Sequence, residues 1–275
     1  MSDDEVAATA ESHGEKHGHG SIWPLVAALG FGVALAGLVF HFAITIAGAA
    51  IIFFGLAGWL VQDARGHSIG KFEGATEEAP FAGISTRKVG MWLFLGSEIF
   101  FFSALIGGSL ALRAQAGWFY PDWPEPGAIL NVQLTAVNTL ILVTSSLTMV
   151  EALRGFETGN VNRGRALLLA TMILGIIFLS IQVSEYRILF FDQHLTPWPN
   201  PLGPTPATYG TTFYVQTGFH GAHVTAGVLA MGFLTIKAFR GKYSQQNHEA
   251  VELVGLYWHF VDVVWIFLFT IAYLI

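Results

Sequence analysis

In the stretch Tyr257-Trp258-His259-Phe260-Val261-Asp262-Val263-Val264-Trp265, two ionisable side chains stand three residues apart in an apolar run. His220 and His223 repeat that spacing further back, and Glu98 and Glu185 each place a carboxyl inside another apolar stretch. Residues three apart share a face of a helix. Imidazoles and carboxylates gathered on such faces are the donor set of a zinc or iron site. The plainer use of the same residues is structural, as hydrogen-bonded ties between helices. Nothing in the spacing alone makes the four segments converge, and no HExxH pattern is present.

The elements that carry these residues are membrane-spanning helices. Leu253 to Ile275 is a run of 23 residues, and a bilayer core takes ~20 residues of helix. Asp262 lies ten residues beyond Glu252, or ~15 Å along a helix, near the middle of a ~30 Å hydrocarbon layer. A carboxyl there costs at least ~2.5 kcal/mol on insertion scales, so it must face protein or water. The whole chain is built alike: hydrophobic residues are 53% and charged ones 12%, where soluble domains carry about a quarter charged. No cysteine is present, which excludes disulfides and thiolate metal sites. The net charge of -6 says little about partners, because five acids fall in the first fifteen residues. No basic cluster points to nucleic acid.

Residues 1–22 read as a polar, disordered tail carrying His13, His17 and His19. Pro24 to Gln62 contains 39 residues without a formal charge, ~58 Å as one helix, so it must fold back as two. The turn is expected at His41–Thr45, between helices over 24–41 and 44–62, with 64–88 a polar cytoplasmic loop. Further spans are expected at 89–112, 128–152, 165–190, 211–238 and 253–275, separated by two proline-rich loops. With the N-terminus inside, eleven of the thirteen Lys and Arg fall on inner segments, leaving Arg113 and Arg187 outside. The positive-inside rule then places the C-terminus outside. A retinal protein is excluded for want of a mid-span lysine. A transporter is disfavoured because no internal repeat with interrupted helices is visible.

The motifs, taken in order, resemble subunit III of the haem–copper cytochrome c oxidases. They are Gly90-Met91-x-Leu93-Phe94-x-x-Ser97-Glu98-x-x-Phe101-Phe102, Val137-Asn138-Thr139, Gln182-x-Ser184-Glu185-Tyr186 and Tyr209-Gly210-Thr211-x-Phe213. Thr217-Gly218-Phe219-His220-Gly221-x-His223-Val224 and the Tyr257–Trp265 stretch complete the set. The resemblance covers nearly all of the chain after the tail. The first two helices match in composition and carry little motif.

That resemblance implies an all-α integral membrane protein of seven transmembrane helices in two groups, I–II and III–VII, forming a V-shaped cleft that holds phospholipid. It implies a non-catalytic core subunit of a terminal oxidase that reduces O2 to water and translocates protons, here supporting proton uptake and protecting the catalytic subunit. Haems and copper are then expected in partner subunits and none on this chain. The partners implied are subunit I, with subunit II and small subunits, membrane phospholipid, and cytochrome c as electron donor to the complex. The location implied is a prokaryotic cytoplasmic membrane or the mitochondrial inner membrane. Glu98 matches the family's carbodiimide-reactive carboxyl of helix III. Lys237 and Arg240 match basic positions near lipid head groups, and Trp59 lies close to a cleft-lining aromatic; inner-leaflet depth independently suits the two cations. Glu98, Glu185, His220, His223, His259 and Asp262 are expected as buried structural groups. The loop after the second helix lacks the family's Gly-His-His-Thr run, so head-group contacts of that loop are not carried over. A quinol-oxidising complex is the near alternative, with a stand-alone membrane metalloenzyme or a transporter behind it; two helices preceding the motif-bearing five favour cytochrome c.

Overall fold

Seven α-helices, and no strand, occur among the residues that the computed structural model describes, 22–40, 42–64, 83–117, 123–125, 127–200 and 207–275. They are α1 (Trp23–Phe40), α2 (Phe42–Ala64), α3 (Thr86–Gln115), α4 (Val132–Glu157), α5 (Val161–Phe191), α6 (Ala207–Phe239) and α7 (Glu249–Phe269). A π-helical turn, Thr270–Leu274, follows α7. The helices α3 to α7 are each long and apolar enough to cross a membrane. The polar tail before residue 22, His41, and residues 65–82 of the polar loop lie outside the described residues.

The chain divides into two compact units, 1–86 and 87–275. In the first, α1 and α2 form an antiparallel pair whose contact is made by small residues. A Cβ on Gly30 would meet Ile52 N at 2.6 Å, and one on Gly55 would meet Ala27 N at 2.8 Å. Gly37 and Gly48 face Thr45 and Ala34 in the same way. Apolar side chains gain little from leaving lipid for one another, so helices associate where their backbones can approach closely. The turn is tighter than expected: Thr45 is already inside α2, which starts at Phe42.

In the second unit α4, α5, α6 and α7 form a four-helix bundle, each packed on the next and α7 closing on α4. The α4–α5 turn is short because Gly159 adopts φ +78°, a conformation open to glycine at no steric cost. Asn131 and Asn160 cap the starts of α4 and α5, their side chains accepting from Leu134 N (3.0 Å) and Arg163 N (3.3 Å). Two tryptophans seven residues apart on α7 hold the centre. The Trp258 ring lies against Gly175 of α5 and Gly227 of α6, where a Cβ would meet it at 2.9 and 2.7 Å, and its Nε1 donates to Ser145 Oγ of α4 at 2.9 Å. Trp265 donates to Thr139 Oγ1 at 2.9 Å, meets Phe178 edge-on and stacks on His220, with ring centroids 4.8 Å apart. One helix thus touches the other three through two side chains.

Helix α3 is pinned along its length to α6 and α7. At its N-terminal end Lys88 pairs with Glu252 at 2.5 Å and Arg87 with Glu249 at 3.4 Å. Further along, Phe94 stacks on Tyr257, and Phe101 and Phe102 meet Phe219 and His223 edge-on. At its C-terminal end the buried Arg113 bonds the main-chain oxygen of Ile275 and lies over the Trp123 ring.

Candidate functional site

The polar side chains inside the bundle are spent mainly on each other. Glu185 of α5 is the most connected. Its Oε1 accepts from Thr135 Oγ1 of α4 at 3.1 Å, and its Oε2 accepts from Tyr273 at 3.0 Å and Gln182 Nε2 at 3.2 Å. Three helical segments therefore meet at one buried carboxyl. Tyr273 reaches it because the π-helical turn advances less per residue than an α-helix, keeping Tyr273 on the face of Trp265, with centroids 6.2 Å apart. Lesser ties follow the same pattern. Thr148 bonds Thr171 at 2.8 Å, Asn138 donates to Phe178 O at 3.2 Å, and Tyr186 bonds Thr217 at 2.5 Å.

Glu98 does not stand alone in α3: its Oε2 lies 3.2 Å from His223 Nε2. The Nδ1–H of His223 donates to Phe219 O at 2.7 Å, so Nε2 either accepts from a protonated Glu98 or, in the imidazolium, donates to the carboxylate. The pair is sound when it holds one shared proton, whichever side that proton sits on. His220, one turn back, turns the other way into the core, where neither ring nitrogen has a hydrogen-bond partner among the described residues. The shared face that the spacing suggests is thus divided between two neighbours.

His259 and Asp262 also separate. His259 Nδ1 is 2.5 Å from Ser146 Oγ of α4, the expected tie between α7 and another helix. Asp262, 4% exposed, lies behind the same serine: neither of its oxygens has a hydrogen bond of good geometry among the described residues, yet the Ser146 hydroxyl lies on its side and can be shared between it and His259. Among the described residues no group of three or more His, Asp or Glu gathers where a metal ion would sit.

The expected lipid residues lie elsewhere. Trp59 is exposed on α2, five residues before its end at Ala64. Lys237 and Arg240 are exposed where α6 ends, and neither is ion-paired among the described residues. Lys237 Nζ rests 4.2 Å from the centre of the Phe233 ring. Sequence reasoning missed Ser146, Thr135 and Tyr273. Hydroxyls are common in apolar helices and only a neighbour distinguishes these three.

Comparison with known proteins agrees over nearly all of the chain after the first seventeen residues. The family model described as cytochrome c oxidase subunit III matches residues 18–275. The probable cytochrome c oxidase subunit 3 of Mycobacterium tuberculosis is 38% identical over 187 residues, covering 68% of this chain and 87% of the relative. The cytochrome c oxidase subunit 3 of Locusta migratoria is 30% identical over 270 residues, 92% of this chain and 93% of the relative. A heme-copper oxidase subunit I+III of Aeropyrum pernix is 32% identical over 267 residues, 96% of this chain and 32% of that longer protein.

Proposed function

The chain belongs to the cytochrome c oxidase subunit III family, and from that premise we propose that it steadies the catalytic subunit, sustains proton uptake there and carries phospholipid at its inner end. Membership makes it a non-catalytic membrane subunit of a haem–copper oxidase, an oxidoreductase complex of the respiratory chain, associated with subunit I. The observation that carries the reading is the family match over residues 18–275. The polar interior agrees with a supporting role. Glu185, Glu98 and His259 each bridge helices, which ties the helices to one another.

The finer parts of the proposal are these. Subunit II and small subunits complete the complex, with cytochrome c as donor, and haem and copper reside on partners. The N-terminus lies inside and the C-terminus outside, which puts Lys237, Arg240 and Trp59 at the inner leaflet, where each cation near anionic head groups gains ~1 kcal/mol. The test is a pull-down through this chain in mild detergent, followed by a visible spectrum and subunit composition. Stoichiometric haem carried on a larger partner is the expected result. Recovery of the chain alone, in full yield and without haem, would refute the proposal.

A further inference from the structure

Most hydroxyls on the outward faces of the bundle close on their own helix. Thr144 bonds Leu140 O, Ser180 bonds Ile176 O and Thr225 bonds Gly221 O, each at 2.7 or 2.8 Å. That is the arrangement acyl chains tolerate, because no polar group is left asking for water. The seam between α4 and α7 breaks the pattern. Ser146 spends its hydroxyl on His259 Nδ1 instead. The imidazole Nε2 then has no partner among the described residues, yet it is not one of the fully buried unpaired atoms, so it opens on the outer face. Behind it lies Asp262, buried, with the same Ser146 hydroxyl on its side.

This cluster sits at mid-depth. His259 is ten residues into the span that begins at Glu249, and Ser146 fourteen into the one that begins at Val132, ~15 and ~21 Å along their helices. Around it the surface is apolar and open: Val143 is 42% exposed and Val263 50%. Lipid tails offer nothing to an imidazole nitrogen or a carboxyl, and ionisable groups at that depth face protein or a water-filled cavity. By contrast, on the outward faces of α5 and α6, beside Val183 (66%) and Leu229 (69%), the hydroxyls of Ser180, Ser184 and Thr225 are each closed on their own helix.

We propose that the α4–α7 seam is the face on which subunit I docks, one of its transmembrane helices lying along Val143 and Val263 and offering a hydrogen-bonding group to His259 Nε2. This rests on the family reading, which supplies the partner. The seam supplies the place, because it is where an apolar surface and an unmet polar demand coincide.

The absence of cysteine from the chain makes the test direct. Val143→Cys, Val263→Cys, Val183→Cys and Leu229→Cys would each be labelled with a benzophenone maleimide in membranes holding the intact complex, then photolysed. Adducts with the haem-bearing subunit are expected from residues 143 and 263 and not from 183 and 229. Val263→Trp should lower the haem recovered per copy of this chain several-fold, with Leu229→Trp leaving it unchanged. Adducts to subunit I from 183 or 229 alone, adducts between two copies of this chain, or lipid adducts only at 143 and 263 would each overturn the assignment. If the unmodified chain brings down haem, such outcomes count against this face alone. If it brings down none, the partner and the face fall together.

Discussion

Replacing Glu185 by leucine removes the acceptor at which α4, α5 and the turn after α7 meet, and the cost follows from what its donors do next. Thr135 Oγ1 already has a second acceptor, Asn131 O at 3.0 Å, so it is not orphaned. Gln182 Nε2 and Tyr273 lie 3.5 Å apart and can close on one another, which rescues part of a bond. One to two donors' worth of hydrogen bonding is therefore lost. An unmet buried donor costs ~1–3 kcal/mol, whereas cross-helix bonds within membranes average only ~0.6 kcal/mol. Glu185→Leu should destabilise by about 2 kcal/mol, and Glu185→Gln, which keeps one carbonyl acceptor, by less than half of that. Tyr273→Phe removes one of the donors in advance. The double variant Glu185→Leu/Tyr273→Phe should then cost ~1 kcal/mol less than the sum of the two singles. The assay is SDS-titrated unfolding in mixed micelles, with all four proteins compared at one lipid-to-detergent ratio. Strict additivity of the two singles, or a Glu185→Leu protein as stable as the parent, would refute the idea that this carboxyl joins the three segments.

Other outcomes follow from the same geometry. Gly30→Ala places a methyl against the Ile52 backbone and should destabilise the α1–α2 pair by ~1–3 kcal/mol; Gly32→Ala, with nothing within 4 Å, should be neutral or slightly stabilising, and thermal unfolding that ranks them the other way would be decisive against the packing argument. Replacing Lys237 and Arg240 together by glutamine should lower the phospholipid retained by the purified complex, two contacts at ~1 kcal/mol each; unchanged lipid by quantitative mass spectrometry rejects the site. Glu98→Gln keeps a hydrogen-bonding group 3.2 Å from His223, so oxygen reduction and the proton-to-electron ratio in vesicles should persist. Pumping lost at full subunit occupancy and normal oxygen consumption would make Glu98 part of a proton path.

The helices were legible because an apolar run of bilayer length has few other folds open to it. Their ends were not. The expected spans start at 128 and 165, but α4 starts at Val132 behind its Asn131 cap, and α5 starts at Val161, taking in Arg163 and Arg165. Hydropathy marks where a helix leaves hydrocarbon, while capping and ion pairs such as Arg163–Glu151 at 2.6 Å decide where its hydrogen bonding ends. At the other end of the scale, Trp258 and Trp265 stood inside the recognised motif, yet their spacing does not say that each meets the other three bundle helices. That depends on Gly175 and Gly227 leaving room for an indole, a fact about two distant positions at once.

The polar residues show the same limit more sharply. Three fates are open to a hydrogen-bonding side chain in an apolar helix, and this chain uses all of them. Thr144 and Thr225 satisfy themselves on their own backbone, Glu185 and Glu98 find donors or acceptors on other helices, and His259 is satisfied at one nitrogen and left open at the other. In the sequence all are single polar residues in apolar surroundings, and the spacing of His220–His223 matches that of His259–Asp262. What separates them is the helix opposite. His220 meets Trp265 and Phe178 and is sealed in, whereas His259 meets one serine and then the edge of the protein. A polar group sealed among aromatics shapes the core of its own chain. One left half-met at mid-membrane, beside a buried carboxyl, is incomplete without a neighbour, and for that reason the α4–α7 seam, rather than the more exposed faces of α5 and α6 whose hydroxyls close on their own helices, is where a partner subunit has something to add.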